Sequence, residues 1–350
     1  MATRDTIVIG ASAGGVQALS TLIASLRADL PAAVFIVLHI PPTSPGLLPE
    51  ILARESLLPV AHARNGERII APGRVYVAPP DQHLLIEGSR IKLVHGPREN
   101  LHRPSIDTLF RSAARWAGPR VIGVILTGAR DDGTAGMRAI KQRNGITIVQ
   151  DPIEATFPSM PTSVMRDITV DYSAPVREIG PLLNKLSRQD VAEEGGYPVS
   201  EEVEIENRIS GQELNSNELI ASVEKIGTVS KLTCPDCQGA LWEIHDDEIL
   251  RFRCHVGHAY SADSLSEGQS QRIEAALWSA VRALEEQIIL ARRIVERARK
   301  ADHPRAASVF ERRAEEAEKN SDIIRQLLLG DEKGNVADPV IENSDELRVS

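Results

Sequence analysis

Short apolar runs alternate with amphipathic stretches along residues 5–185. Residues 6–9, 34–38, 75–78, 121–126, 147–149 and 169–172 are nearly continuous apolar segments and predict strands. Between them, residues 16–26, 105–116, 135–143, 160–166 and 176–186 carry apolar side chains at helical spacing. Strands without a polar face, alternating with helices, predict a doubly wound, mainly parallel α/β sheet covered on both sides. Residues 84–94 read as a hairpin, which makes the expected sheet mixed.

Past residue 186 the pattern changes. Residues 187–230 are rich in Glu, Ser and Asn and contain Gly195-Gly196, so they read as an acidic flexible linker with a helical turn near 218–225. Residues 231–265 form a compact Cys/His segment. In residues 266–330, Leu277, Val281, Leu284, Ile288, Ala291 and Val295 recur at three- and four-residue spacing. After Asp302-His303-Pro304, the residues Phe310, Ala314, Ala317, Ile324 and Leu328 do the same up to Gly330. This predicts an α-helical hairpin whose apolar seam is either its own core or a docking or dimerisation surface. Residues 331–350 read as a disordered tail.

Charge sharpens this division. Residues 186–230 hold ten acids and three bases, net −7, and residues 331–350 hold six acids and two bases, net −4. Against a total of −9, the remainder is about +2, so the acidity belongs to the linker and the tail. With 3% aromatics and no basic stripe, a nucleic-acid-binding surface is not expected. No apolar run approaches the ~20 residues that span a bilayer, and no basic-then-apolar leader opens the chain, so a cytoplasmic, not membrane-inserted protein is expected.

Candidate chemistry begins at Gly10-Ala11-Ser12-Ala13-Gly14-Gly15, between a predicted strand and a predicted helix. Glycines allow a tight turn there, and the helix N-terminus favours negative charge beside Ser12. The segment fits an acyl-transfer nucleophile, a phosphate-cradling loop or a plain small-residue turn. A full G-x-G-x-x-G and a P-loop lysine are both missing, which weakens nucleotide binding. His39 ends the second strand before Pro41-Pro42, and Asp131 and Asp132 follow the strand ending near Leu126. Alone, His39 is a strand-end histidine and either aspartate a helix N-cap. Together, at the carboxyl ends of parallel strands, Ser12, His39 and an aspartate form a nucleophile, general base and orienter. This requires His39 Nε2 to reach Ser12 Oγ. The order Ser, His, Asp differs from that of α/β-hydrolases.

These segments resemble the chemotaxis protein-glutamate methylesterase family, CheB. The resemblance rests on Gly10–Gly15, Leu38-His39-Ile40-Pro41-Pro42, and Leu126-Thr127-Gly128 through Asp132-Gly133. Residues 72–80, Arg103-Pro104-Ser105-Ile106-Asp107 and Phe157-Pro158-Ser159-Met160-Pro161 extend it over residues 5–185. It implies a serine hydrolase that removes methyl esters from glutamates of chemoreceptor-type signalling proteins and also deamidates glutamine, without a catalytic cofactor. By position, Ser12 matches the nucleophile, His39 the base and Asp132, rather than Asp131, the family aspartate. Backbone N–H groups of Ala13 and Ala129 are the expected oxyanion donors. Where the family motif has Met-Gly, this chain has Ala129-Arg130, which puts bulk and charge beside the crevice. Members commonly carry an N-terminal receiver domain; the resemblance here is to a receiver-less form, which is the expectation for this chain. A non-catalytic signalling adaptor on the same fold is the alternative. A methylated receptor is the expected substrate partner, and the helical hairpin is expected to engage a methyltransferase or other signalling partner.

Cys234-Pro235-Asp236-Cys237 and Cys254-His255-Val256-Gly257-His258 give the spacing C-x2-C-x16-C-x3-H. Four such ligands suit a structural, tetrahedral Zn²⁺, with His258 preferred over His255 as the fourth. His245 reads as a surface residue. All three cysteines of the chain lie here, which excludes a disulfide framework and fits a reducing compartment.

Overall fold

The computed structural model describes residues 2–70, 73–191, 197–246 and 249–330. The chain forms two compact units, Met1–Gly268 and Gln269–Ser350. The first unit begins with β1 (Ala2–Thr3), β2 (Thr6–Ala11), α1 (Gly15–Ala24), β3 (Ala33–Leu38) and α2 (Leu48–Ala53). Next come β4 (Val60–His62), β5 (Arg74–Val77), β6 (His83–Glu87), β7 (Arg90–Val94), α3 (Ile106–Ala117), β8 (Val121–Ile125) and α4 (Thr134–Gln142). β9 (Ile146–Gln150), α5 (Ser159–Asp167), β10 (Tyr172–Ala174), α6 (Val176–Leu186) and β11 (Asp190–Val191) follow.

Seven strands make one sheet in the order β10-β9-β8-β2-β3-β5-β4, and every neighbouring pair is parallel. Alternate side chains of each strand enter different cores. Ile7, Ile9, Val34 and Ile36 pack with Leu19, Leu22, Ile179 and Leu183 of α1 and α6. Val8, Phe35 and Val37 pack with Ile106, Phe110, Met137 and Met160 of α3, α4 and α5. Each of these fully buried large side chains contributes roughly 1.5–3 kcal/mol. Burial on both faces is why the strands read as continuous apolar runs.

The expected hairpin forms, but it does not join the main sheet: β6 pairs with β7, β7 adds an antiparallel bridge from Arg90 to Arg68, and the hairpin packs on α3 through Leu84, Ile86 and Ile91. The last strand is also displaced, to Tyr172–Ala174, because Ile168 still belongs to the end of α5, donating its N–H to Val164 O.

A further correction concerns the acidic linker. Residues 201–226 form α7 (Glu201–Ser210) and α8 (Ser216–Ile226), which share a core of Ile205, Ile209, Val223 and Ile226. Its acids have specific basic partners: Glu204 pairs with Arg115 at 2.7 Å and Glu213 with Lys92 at 3.1 Å. Glu206 is buried against Arg251 and Arg253. A four-stranded antiparallel sheet follows: β12 (Gly227–Thr233), β13 (Ala240–Ile244), β14 (Arg251–Cys254) and β15 (Ala259–Ser261). The Cys/His module therefore starts at 227 rather than 231, and α9 (Ala262–Lys300) takes over directly after β15.

In the second unit, the part of α9 from Gln269 onward and α10 (Pro304–Gly330) run antiparallel, as the pairs Arg292–Glu318, Arg299–Glu311 and Arg325–Glu285 require. Val281, Ile288, Ala291, Val295, Ala314 and Ala317 are buried, while Leu277, Leu284, Phe310, Ile324 and Leu328 are half-buried. No described helix is long and apolar enough to cross a membrane. The tail expected at 331–350 lies outside the described residues.

Candidate active site

The sheet order reverses beside β2, whose neighbours are β8 and β3. Ligand sites of open α/β sheets lie at the carboxyl ends of strands at such a switch point. Register sets those ends level, with Ala11 opposite Leu38 and Gly10 opposite Ile125. Ser12, His39 and Asp132 thus arrive at one edge from three adjacent strands.

Ser12 occupies the turn between β2 and α1. Its N–H donates to Thr127 O at 3.1 Å, and its own carbonyl accepts from Gly15 N at 2.9 Å. Gly14 takes φ +73 ahead of the helix, a left-handed conformation that glycine adopts without Cβ strain. On the β8 side, a Cβ at Gly128 would lie 2.9 Å from Ser12 Cβ and 2.0 Å from Met160 Sδ. Glycine at 128 therefore lets the two turns close against each other.

His39 Nδ1 lies 3.2 Å from Ser12 Oγ, and His39 Nε2 lies 2.7 Å from Asp132 Oδ2. The three side chains meet, with the two imidazole nitrogens exchanged relative to the expectation that Nε2 faces serine. A proton on Nε2, donated to Asp132, leaves the Nδ1 lone pair for the serine hydroxyl, so the acid-base logic is kept. The His39 and Asp132 side chains are only 4% and 2% exposed. His102 stacks on the His39 ring, with centroids 3.6 Å apart and planes at 13°. Burial first, and the neighbouring His39 second, push His102 down to about 3, so it is a neutral wall.

Asp132 is anchored more heavily than the sequence suggests. Its Oδ1 accepts from Asn100 Nδ2 at 2.8 Å, Ser105 Oγ at 3.0 Å and Asp107 N at 3.2 Å. Its Oδ2 accepts from Ile106 N at 2.7 Å besides His39. Burial would push this carboxyl up, yet His39, His102 and the Asn100 amide hold it below the ordinary carboxylate range. Ser105 stands at the N-cap of α3 but does not cap it. Asp132 fills that role, while Ser105 gives its hydroxyl to Asp132. Neighbouring Asp107, buried and facing the Asp132 charge, is pushed up to about 8. Asn100, Ser105 and His102 escape sequence reasoning as functional residues, although Ser105 lies in a segment that carries the family resemblance.

Asp131 points elsewhere, accepting from Ser261 Oγ at 2.8 Å. Arg130 holds φ +66 and pairs with Glu267 at 3.0 Å. Neither Ala13 N–H nor Ala129 N–H donates to a backbone carbonyl among the described residues. A cleft of about 580 Å³ opens over Ser12 and His39, walled by Pro41, Leu101, Arg98 and Arg103.

The Cys/His cluster is separate. Ligand atoms of Cys234, Cys237, Cys254 and His258 lie within 4.8 Å of one another. Cys237 and Cys254 sulfurs are 3.7 Å apart, and His258 Nδ1 is 3.7 Å from Cys234 Sγ and 3.5 Å from Cys254 Sγ. A tetrahedral ion with ~2.3 Å bonds to sulfur has edges of about 3.8 Å, so the donor set fits a metal ion. His255 instead stacks on Trp242, and His245 is exposed.

Known proteins resemble the α/β part of this chain. The family profile described as CheB methylesterase matches residues 7–183. A protein of Leptospira interrogans is 39% identical over 188 residues, covering 53% of this chain and 97% of that relative. Protein-glutamate methylesterase/protein-glutamine glutaminase 2 of Methanosarcina mazei is 38% identical, over 53% of this chain and 52% of its own. The corresponding enzyme 1 of Geobacter metallireducens is 39% identical, over 51% of this chain and 49% of its own. This chain thus spans about half the length of those two relatives. The crystal structure of the Thermotoga maritima CheB methylesterase catalytic domain matches with 33% identity and TM-score 0.50, covering 53% of this chain and 99% of that one. From its matched sequence and its sheet, the chain belongs to the CheB methylesterase family.

Proposed function

We propose that this protein is a cytoplasmic serine hydrolase that demethylates glutamyl methyl esters on chemoreceptor-type signalling proteins. The observation that carries this reading is the continuous hydrogen-bonded chain Ser12–His39–Asp132 at the floor of an open cleft. Ser12 Oγ attacks the ester carbonyl while His39 Nδ1 takes its proton. The carbonyl oxygen gains negative charge, for which the N–H groups of Ala13 and Ala129 are the available donors; losing one such donor costs about 3 kcal/mol. Collapse breaks the bond to the methoxy oxygen, and His39 returns the proton, releasing methanol. Water then attacks the acyl-serine with His39 again as base, giving a glutamate carboxylate and free Ser12. Glutamine enters the same sequence with ammonia as leaving group, which is the glutaminase activity that the Methanosarcina and Geobacter relatives carry in their names.

Cys234, Cys237, Cys254 and His258 are assigned to a structural Zn²⁺ that closes the turns of the four-stranded module; four protein ligands leave no open position for chemistry. The helical hairpin is assigned to a signalling partner such as a methyltransferase. Methanol release from a methylated receptor fragment tests the central assignment: wild type turns over and Ser12→Ala does not.

A further inference from the structure

Asn100 touches the triad on one side and the C-terminal module on the other. It is 5% exposed and lies between the β7 hairpin strand and α3. Its Oδ1 accepts from Ser261 N at 2.9 Å and Ser264 Oγ at 3.1 Å, and its own N–H donates to Ala259 O at 2.8 Å. Because the Ser261 amide can only donate, the side-chain oxygen must face the module. Nδ2 is thereby directed at the two carboxylates, Asp132 Oδ1 at 2.8 Å and Asp107 Oδ2 at 2.9 Å. The same turn of the module also fixes Asp131, through Ser261 Oγ. Residues 259–264 therefore supply every partner of the Asn100 carbonyl oxygen named here, although they follow the α/β part by some seventy residues.

We infer that Asn100 is a positioning residue through which the module at β15 and the start of α9 holds the Asp132 carboxylate square to His39. This rests on the triad assignment above. Three contacts clamp Asn100 from the module, and its amide leaves Asp132 Oδ1 no freedom to rotate away from the α3 N-terminus. Asn100 does not line the cleft, so the device acts on turnover rather than on substrate binding.

Three full-length variants test it: Asn100→Gly, Ser264→Ala and the pair together. Asn100 holds φ +50, which glycine accepts, so Asn100→Gly removes the amide without forcing the backbone. Expected is a fall in kcat of about tenfold for Asn100→Gly and about threefold for Ser264→Ala, with KM within about twofold. The double variant should be no slower than Asn100→Gly, since Asn100 is the link from Ser264 to Asp132; the other Ser264 hydroxyl contacts, to Ser261, lead to Asp131 and not to Asp132. The low-field proton resonance of the Asp132–His39 hydrogen bond, sharp in wild type, should broaden in both single variants. Additive losses, a change confined to KM, or an unaltered resonance would overturn the inference. Should Asn100→Gly not fold, an unchanged kcat and resonance in Ser264→Ala overturns it alone. A wild type that shows the resonance but releases no methanol defeats the ester assignment, and the positioning claim is then decided by the resonance.

Discussion

Replacing Asp132 by asparagine separates orientation from mere presence of the triad. Asp132 Oδ1 faces three donors, from Asn100, Ser105 and the Asp107 amide, whereas Oδ2 faces the Ile106 amide and His39. An asparagine must place its oxygen where donors are most numerous, at the Oδ1 position. Its NH₂ then points at His39 Nε2 and forces that nitrogen to accept, while the Ile106 N–H loses its acceptor. The imidazole proton moves to Nδ1, the atom 3.2 Å from Ser12 Oγ, and the base is lost. A wrong tautomer of this kind costs about 10⁴ in kcat, or about 5 kcal/mol of transition-state stabilisation. Removing the charge also relieves Asp107, whose carboxyl is pushed up by burial and by Asp132, so the variant should stay folded. The assay is methanol release at pH 7, beside thermal unfolding. A loss smaller than tenfold in folded protein would refute the tautomer argument.

Other consequences follow from the same contacts. Arg130 occupies a left-handed position where the family motif has glycine, so Arg130→Gly should be about 1 kcal/mol more stable than Arg130→Ala in urea, since both lose the Glu267 pair and only glycine relieves strain; equal midpoints would contradict this. Glu99 is buried between Arg111 and Arg253; burial opposes its charge, but the two guanidiniums hold it down at about 2 against an ordinary 4.5. Its folded pKa is depressed, so its contribution is present above pH 4.5 and is lost as pH falls toward 2, and Glu99→Gln should flatten that part of the stability profile and cost about 3–5 kcal/mol at pH 7. Protein purified without chelators should hold one zinc per chain, and Cys254→Ala should release it and lower the unfolding temperature; metal-free protein of unchanged stability would count against the assignment.

Much of this was legible in the sequence, for physical reasons that also mark where legibility stops. β2, β3 and β8 are buried on both faces, so their apolar runs are unbroken, and glycine or proline after them marks the turns that carry Ser12, His39 and Asp132. The cysteine ligand candidates Cys234, Cys237 and Cys254 are declared by spacing, which leaves the fourth as a preference for His258 over His255. Residues 187–230 misled because composition counts charges without their partners. Glu206 looks solvated in sequence, yet Arg251 and Arg253 stand 2.8 and 2.9 Å away in the fold. Which imidazole nitrogen faces Ser12 depends on ring rotation, set here by His102 stacking and by the Asp132 anchor. Asn100 carries no signal of its own, because its importance arises from two segments that meet only after folding.

The most direct measurement follows oxygen. A methylated receptor fragment is incubated with the full-length protein in ¹⁸O-labelled water, and both products are read by mass spectrometry. Acyl transfer through Ser12 predicts label in the new glutamate carboxylate, none in the methanol, and no reaction with Ser12→Ala. Equal turnover by Ser12→Ala, or label in the methanol, would contradict the account.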